Sequence, residues 1–260
     1  MKHMNHLLSF AVLLFFNGVS PVFAERAAQN TVPAIQKQTR LISSKAPHLE
    51  VINSYGDVRL RFGGYASEME LLTLKQNLDG DLQVEVSIDR ESDRIIVKPL
   101  NQEAPRKSRL DLVVMVPAGK TVAVETDSGL VEAKGLHDAL RVKTQSGNVR
   151  LNKIKGRLMV QTVSGDIEAT LTKKTTKAEQ VFSSVTGHVS VWVAENESAR
   201  VEMATSGDLI THFSLSVTRT PHAEPDKHAV AVLADGDNKI ILKSRRGNVA
   251  LRAISTSTTR

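Results

Sequence analysis

The sequence contains no cysteine. That excludes a disulfide framework, thiolate metal ligands, a cysteine nucleophile and a lipid-modified N-terminal cysteine. Aromatic residues make up only 4% of the chain, with a single tryptophan, which leaves few platforms for stacking bases and argues against a nucleic-acid partner. After the first 24 residues no apolar run approaches the roughly 18 residues that a membrane-crossing helix needs, so the mature chain is expected to carry no transmembrane segment. A sustained helical stripe is also missing, as is a Gly-x-Ser-x-Gly elbow of the kind that positions a hydrolase serine. Stability must then come from packing and backbone hydrogen bonds.

The segments that are present divide the chain. Lys2 precedes the apolar run LLSFAVLLFF, and Val22-Phe23-Ala24 supplies a small-residue cleavage site, so residues 1–24 read as a signal peptide. The expected product is exported, either periplasmic or secreted. It keeps 33 basic residues against 28 acidic ones, a modest excess that suits anionic partners and equally keeps a protein in solution. Residues 25–47 carry two prolines and no sustained periodicity, which reads as a flexible leader.

From His48 to residue 121 the chain alternates apolar and polar residues in LEVINS, DVRLRF, MELLTL, LQVEVSI, RIIVKP and LDLVVMV. This is the period of strands with one buried face, and it defines an N-terminal β section. Residues 122–256 repeat a shorter unit. VKTQSGNVRL at 142–151 returns as VQTVSGDIEA at 160–169, and the repeat glycines fall at 129, 147, 165, 187, 207 and 247, with Gly56 as an early copy. Two residues after each glycine stand Val58, Val131, Val149, Ile167, Val189, Leu209 and Val249; five before stand Val51, Val124, Val142, Val160, Phe182, Glu202 and Leu242. A period of about 18–22 residues with aligned apolar columns predicts an all-β fold, a β-roll or β-solenoid of stacked repeats. Consecutive repeats are expected to stack, with the glycine turning a corner at positive φ. Glu202 breaks its column, and Val201 and Met203 beside it predict a one-residue slip, as through a bulge. Residues 214–228, with two prolines, are expected to leave the stack as a loop excursion.

These segments in this order resemble the bacterial "putative adhesin" family of β-strand-repeat domains, a domain family of unknown function. The likeness covers roughly residues 48–254. It rests on VINSYGDVRLRF, on LDLVVMVPAGKTVAVETDSGLVEAKGL, on the repeated Ser-Gly-[Asn/Asp]-[Val/Ile] turns and on ADGDNKIILKSRRGNVALRAI. The resemblance implies a β-roll or β-solenoid and supplies no catalytic residues. Departures are Leu130, where the family often has Asp or Asn after the glycine, and the Arg245-Arg246 pair in place of a small turn residue.

Each candidate site has a plainer counterpart. Asp57, Asn148, Asp166, His188, Asp208 and Asn248 follow repeat glycines, but one carboxylate per turn falls short of the six to eight oxygens of a calcium site, and capping of turns is the expected role. His222, Glu224, Asp226 and His228 crowd the excursion, where a proline-containing loop offers little rigid support for a metal. No metal or cofactor is therefore assigned. No carboxylate pair stands out for glycoside cleavage. Arg141, Lys143, Arg150, Lys153, Lys155 and Arg157 lie close in sequence, and stacking would gather several of them into a patch for an anionic ligand. The plainer reading is that outward strand residues must be polar and that lysines discourage edge pairing. The expected function is a non-enzymatic envelope scaffold or binding module, whose partners would be an envelope glycan, a lipid head group or another envelope protein. The alternatives are a polysaccharide-active enzyme on a β-solenoid and an envelope-stress regulatory protein.

Overall fold

The computed structural model describes residues 35–43, 45–65, 67–77, 84–100, 108–172 and 178–254. The expected signal segment and residues 25–34 of the expected leader lie outside them. The described chain forms 21 strands in two sheets and contains no helix. Alternation in the sequence explains this directly. In SRLDLVVMV, Ser108, Leu110, Leu112, Val114 and Val116 are buried and the residues between them are half-buried. In LRVKT, the inward Leu140, Val142 and Thr144 alternate with exposed Arg141 and Lys143.

Most of the molecule is a stack of two-strand rungs, each with one strand in either sheet. The rungs are β2 (His48–Tyr55) with β3 (Val58–Phe62), β8 (Thr121–Ser128) with β9 (Val131–Lys134), and β10 (Leu140–Thr144) with β11 (Val149–Ile154). They continue as β12 (Leu158–Thr162) with β13 (Ile167–Leu171), β14 (Gln180–Ser184) with β15 (Val189–Val193), β16 (Ala199–Thr205) with β17 (Leu209–Thr211), and β20 (Asn238–Ser244) with β21 (Val249–Ala253). We call the sheet that holds β3 and β9 sheet A and the one that holds β2 and β8 sheet B. Parallel pairing sets Val51, Val124, Val142, Val160, Phe182 and Leu242 in one row of sheet B. Val58, Val131, Val149, Ile167, Val189 and Val249 form a facing row of sheet A. All twelve are buried. At about 1.5–3 kcal/mol for each such side chain, these two rows are the main favourable term of the fold.

Among the two-strand rungs the stacking order departs from chain order once. β20 lies between β14 and β16, and β21 lies between β15 and β17. The later rung is wedged into the stack beneath the earlier one, which corrects the expectation that consecutive repeats are always neighbours. Residues 214–228 do not simply loop out. They contribute β18 (Ser216–Arg219), which forms a hairpin with β19 (Lys227–Leu233), and β19 closes the free side of β16. At the other end, β6 (Arg94–Leu100) and β7 (Ser108–Val116) lie below the first rung, followed by β5 (Glu85–Arg90) in sheet B and β4 (Glu68–Asn77) in sheet A. Part of the expected leader is ordered: β1 (Ile35–Ser43) pairs antiparallel with β4 as the edge of sheet A. Ile42 is the one buried residue of β1, so its sequence carries little strand rhythm.

The expected positive φ is met at Gly56 and Gly129, and elsewhere in the column the glycines serve another purpose. A Cβ built on Gly147, Gly165, Gly187 or Gly247 would lie 1.9–2.2 Å from the carbonyl oxygen of the glycine in the rung below. In this column only Gly56 and Gly129 have φ in the left-handed region, at +128° and +108°. Close backbone approach, not positive φ, excludes side chains from the corner at the other positions. Residues three before the glycine seal the same corner. The N–H groups of Gly147, Gly165, Gly187 and Gly247 donate to Thr144, Thr162, Ser184 and Ser244, each at 2.9 Å. In the β16–β17 rung Met203 pairs with Leu242, so it takes the core position that the glycine spacing assigns to Glu202. The predicted slip is real, but its cause is a turn shortened by one residue: Gly207 N–H bonds to Thr205, two residues back.

Candidate functional site

Residues after the corner glycines form a side-chain ladder on the outside of the turns. Asp166 N–H donates to Asn148 Oδ1 at 2.9 Å, His188 N–H to Asp166 Oδ1 at 2.7 Å, Asn248 N–H to His188 Nδ1 at 2.9 Å and Asp208 N–H to Asn248 Oδ1 at 2.9 Å. Leu130 accepts the same kind of bond from no rung, although its own N–H donates to Asp57 Oδ1 at 3.0 Å. The polar column thus holds the rungs together, and among the described residues no group of three or more His, Asp or Glu is placed to hold a metal ion. Below this ladder, Arg109 bridges Asp57 at 2.8 Å and Asp111 at 2.9 Å. Burial pulls the Arg109 guanidinium down, but the two carboxylates outweigh it and hold it above its ordinary value.

The outward row of sheet B is where the stack makes a surface. Pairing aligns Glu50, Ala123, Arg141, Met159, Val181 and Ile241 on successive strands. Adjacent strands are about 4.8 Å apart, so Glu50 and Arg141 rise on either side of the short Ala123. With Ala139 also small, a groove of about 480 Å³ opens across β2, β8, β10 and β12. His48, Thr121 and Arg94 line one side, and Arg141, Arg157 and Met159 the other. His48 Nδ1 lies 2.5 Å from Thr121 Oγ1.

Electrostatics separates the three arginines of this groove. Arg94 is compensated by Glu91 at 3.2 Å, Asp93 at 3.7 Å and Glu50 at 3.8 Å. Arg157 is 3.3 Å from Glu179, which also approaches Lys239 at 3.8 Å. Arg141 is exposed and has no ion-pair or hydrogen-bond partner among the described residues. The groove's carboxylates are therefore engaged as counter-ions to Arg94, while one guanidinium fork stays open.

The six basic residues singled out in the sequence are not one patch. Arg141, Lys143 and Arg157 belong to the outer side of sheet B. Arg150 points from sheet A, where it pairs with Glu168 at 3.2 Å. Lys153 sits at a register shift between β11 and β13 with φ +54°, and Lys155 Nζ lies 3.1 Å from His137 Nε2 in the turn that follows. Sequence proximity misleads here because one rung passes through both sheets within eighteen residues. His48, Arg94 and Thr121 escaped sequence reasoning, since only the pairing of β6, β2 and β8 brings them together. In the excursion, Glu224 is bound by Arg246 at 2.9 Å, and Asp226 N–H donates to Ser206 Oγ at 3.2 Å.

A family model, Toastrack DUF4097, matches residues 31–252. Among solved structures, a "putative cell adhesion protein" from Clostridium sporogenes ATCC 15579 is similar at 8% identity and a TM-score of 0.45, covering 85% of this chain and 100% of that one. A "putative adhesin" from Parabacteroides distasonis ATCC 8503 is similar at 11% identity and a TM-score of 0.33, covering 84% and 97%. A "putative lipid binding protein" from the same organism is similar at 11% identity and a TM-score of 0.34, with the same coverage. No curated protein matches.

Proposed function

Because the chain belongs to the Toastrack DUF4097 family of β-solenoid-like domains, we propose that it is a non-enzymatic, adhesin-like binding module of the cell envelope, and that its sheet B groove takes an anionic group of an envelope glycan. The observation that carries this reading is the uncompensated guanidinium of Arg141, set in a groove whose other arginines are neutralised. A free guanidinium offers two parallel N–H donors that match a carboxylate or a phosphate. Lys143 on the same strand adds charge without a partner among the described residues. A single exposed contact of this kind is worth about 1 kcal/mol or less, so useful affinity would come from many such groups along a polymer. The rigid parallel stack supports this role by holding outward side chains at fixed intervals.

The test is binding of immobilised acidic polysaccharide, and separately of vesicles with anionic lipid, by the mature protein and by two double variants. Arg141→Ala/Lys143→Ala should weaken polysaccharide binding about tenfold, while Lys153→Ala/Lys155→Ala should leave it within a factor of two. Equal loss from both variants would mean diffuse charge attraction and would remove the groove from the account. Vesicle binding in the absence of polysaccharide binding would reassign the surface to lipid head groups.

A further inference from the structure

The outer side of sheet A carries a second depression, independent of the sheet B groove. Strand pairing sets Asn152, Thr170, Trp192 and Arg252 side by side on β11, β13, β15 and β21. Beside them runs the row Glu132, Arg150, Glu168. The short side chains of Asn152 and Thr170 lie next to the tall indole, and a cavity of about 530 Å³ opens against Trp192. The indole is half-buried on an outward-facing row, where strand alternation calls for a polar side chain.

Two features give this depression a chemical preference. The first is the state of its charges. Arg150 is neutralised by Glu168 at 3.2 Å, and Glu132 by Arg61 at 2.8 Å and Arg59 at 3.8 Å. The ionic groups that line the cavity are thus ion-paired and still offer hydrogen-bond donors and acceptors, while Arg252, beside the indole, has no ion-pair partner among the described residues. The second is the ring. The Arg252 guanidinium lies over it, 5.9 Å from its centroid, which fixes its orientation. The indole lines the cavity together with Thr170, Ala253 and Ile254. The face of an aromatic ring is electron-rich, and it attracts the weakly positive C–H hydrogens on the flat side of a pyranose. The amide of Asn152, the Thr170 hydroxyl and the paired carboxylates and guanidinium then suit the hydroxyl groups on the ring's edge.

We propose that this depression is a saccharide subsite, in which one pyranose unit of a glycan stacks on Trp192 and is hydrogen-bonded by Asn152 and Thr170. The assignment does not depend on the sheet B groove, and either can fail without the other.

Trp192 is the chain's single tryptophan, so its emission reports on this site alone. The protein is titrated with neutral oligosaccharides of glucose, mannose, galactose and N-acetylglucosamine, and with a uronic-acid oligomer, and binding is measured in parallel by calorimetry. At least one series should shift the emission saturably. Its affinity should fall about tenfold in Trp192→Ala, severalfold in Asn152→Ala, and less in Trp192→Phe than in Trp192→Ala. Arg141→Ala should bind the neutral series as wild type does. Circular dichroism of each variant checks that the sheets are retained, and the Asn152 variant tests the site with the indole intact. The proposal is overturned if no saccharide series alters the emission at tens of millimolar, or if calorimetric binding survives Trp192→Ala unchanged.

Discussion

Replacing Gly165 with alanine tests the account of the corner directly. The added Cβ would lie 1.9 Å from Gly147 O and 2.6 Å from Gly147 C, whereas real Cβ atoms stay beyond about 3.0 Å. The obstacle is backbone, so the two rungs must open by about 1 Å where they are normally 4.7–4.9 Å apart. Two inter-rung bonds cross that corner, Ser164 N–H to Gln145 O at 2.9 Å and Val163 N–H to Thr144 O at 3.3 Å, and an opening of this size removes both. Each bond contributes about 0.5–1.5 kcal/mol net, and leaving the carbonyl of the buried Thr144 without its partner adds to the loss. The expected cost is about 2–4 kcal/mol. Gly119 supplies the contrast, because it has φ +80° and nothing within 4 Å of an added Cβ. Gly119→Ala should therefore cost only the left-handed backbone term, about 1 kcal/mol. Equilibrium urea unfolding, followed by far-ultraviolet dichroism and by Trp192 emission in the adjacent rung, measures both. If Gly165→Ala destabilises no more than Gly119→Ala does, close approach is not what selects glycine in the column.

Two further outcomes follow from particular side chains. Thr162→Val keeps the shape but leaves Gly165 N–H without its 2.9 Å acceptor; it should cost about 1–3 kcal/mol in the same unfolding experiment, and Thr162→Ser should recover most of it, since Ser184 and Ser244 fill the equivalent place in other rungs. The hydrogen bond from Arg246 holds the Glu224 carboxyl below its ordinary value near 4.5. A lowered folded-state value means that this tie is present above the ordinary range and is lost as the pH falls through the lowered value. An NMR titration should place the Glu224 midpoint below 4.5 and move it upward in Arg246→Gln; an unmoved midpoint would remove the tie.

Sequence reasoning reached the core because the core repeats: Val142, Val160 and Phe182 stand in the same place before their glycines and share one buried row. It misassigned the reason for the glycines after Gly129, since the contact that excludes a side chain from Gly165 comes from Gly147, a rung away. It could not order the last two rungs, because Val249 and Leu209 both satisfy the position two residues after the glycine and both match their neighbours. The shortened Thr205–Gly207 turn was visible only as a misplaced Glu202. β1 was read as a leader because Ile42 alone of its nine residues is buried. The candidate sites were harder still. Arg141 and Arg150 are nine residues apart, yet they face away from each other in different sheets, and the arginine that matters is distinguished by what fails to pair with it. Trp192 acquires its surroundings from Thr170 and Arg252, which lie on separate rungs.

The wedged position of β20 and β21 has a consequence for assembly. Until residues 238–253 have been synthesised, β14 and β16 both offer unpaired edges, and so do β15 and β17. Apart from the one-residue shortening at Gly207, these earlier rungs present the same strand-corner-strand backbone, so their free edges can dock on each other. Translation from the N-terminus thus presents a decoy before the proper neighbour exists. A chain caught in that premature union must peel apart to admit its own later segment, a detour that a strictly consecutive solenoid would never meet.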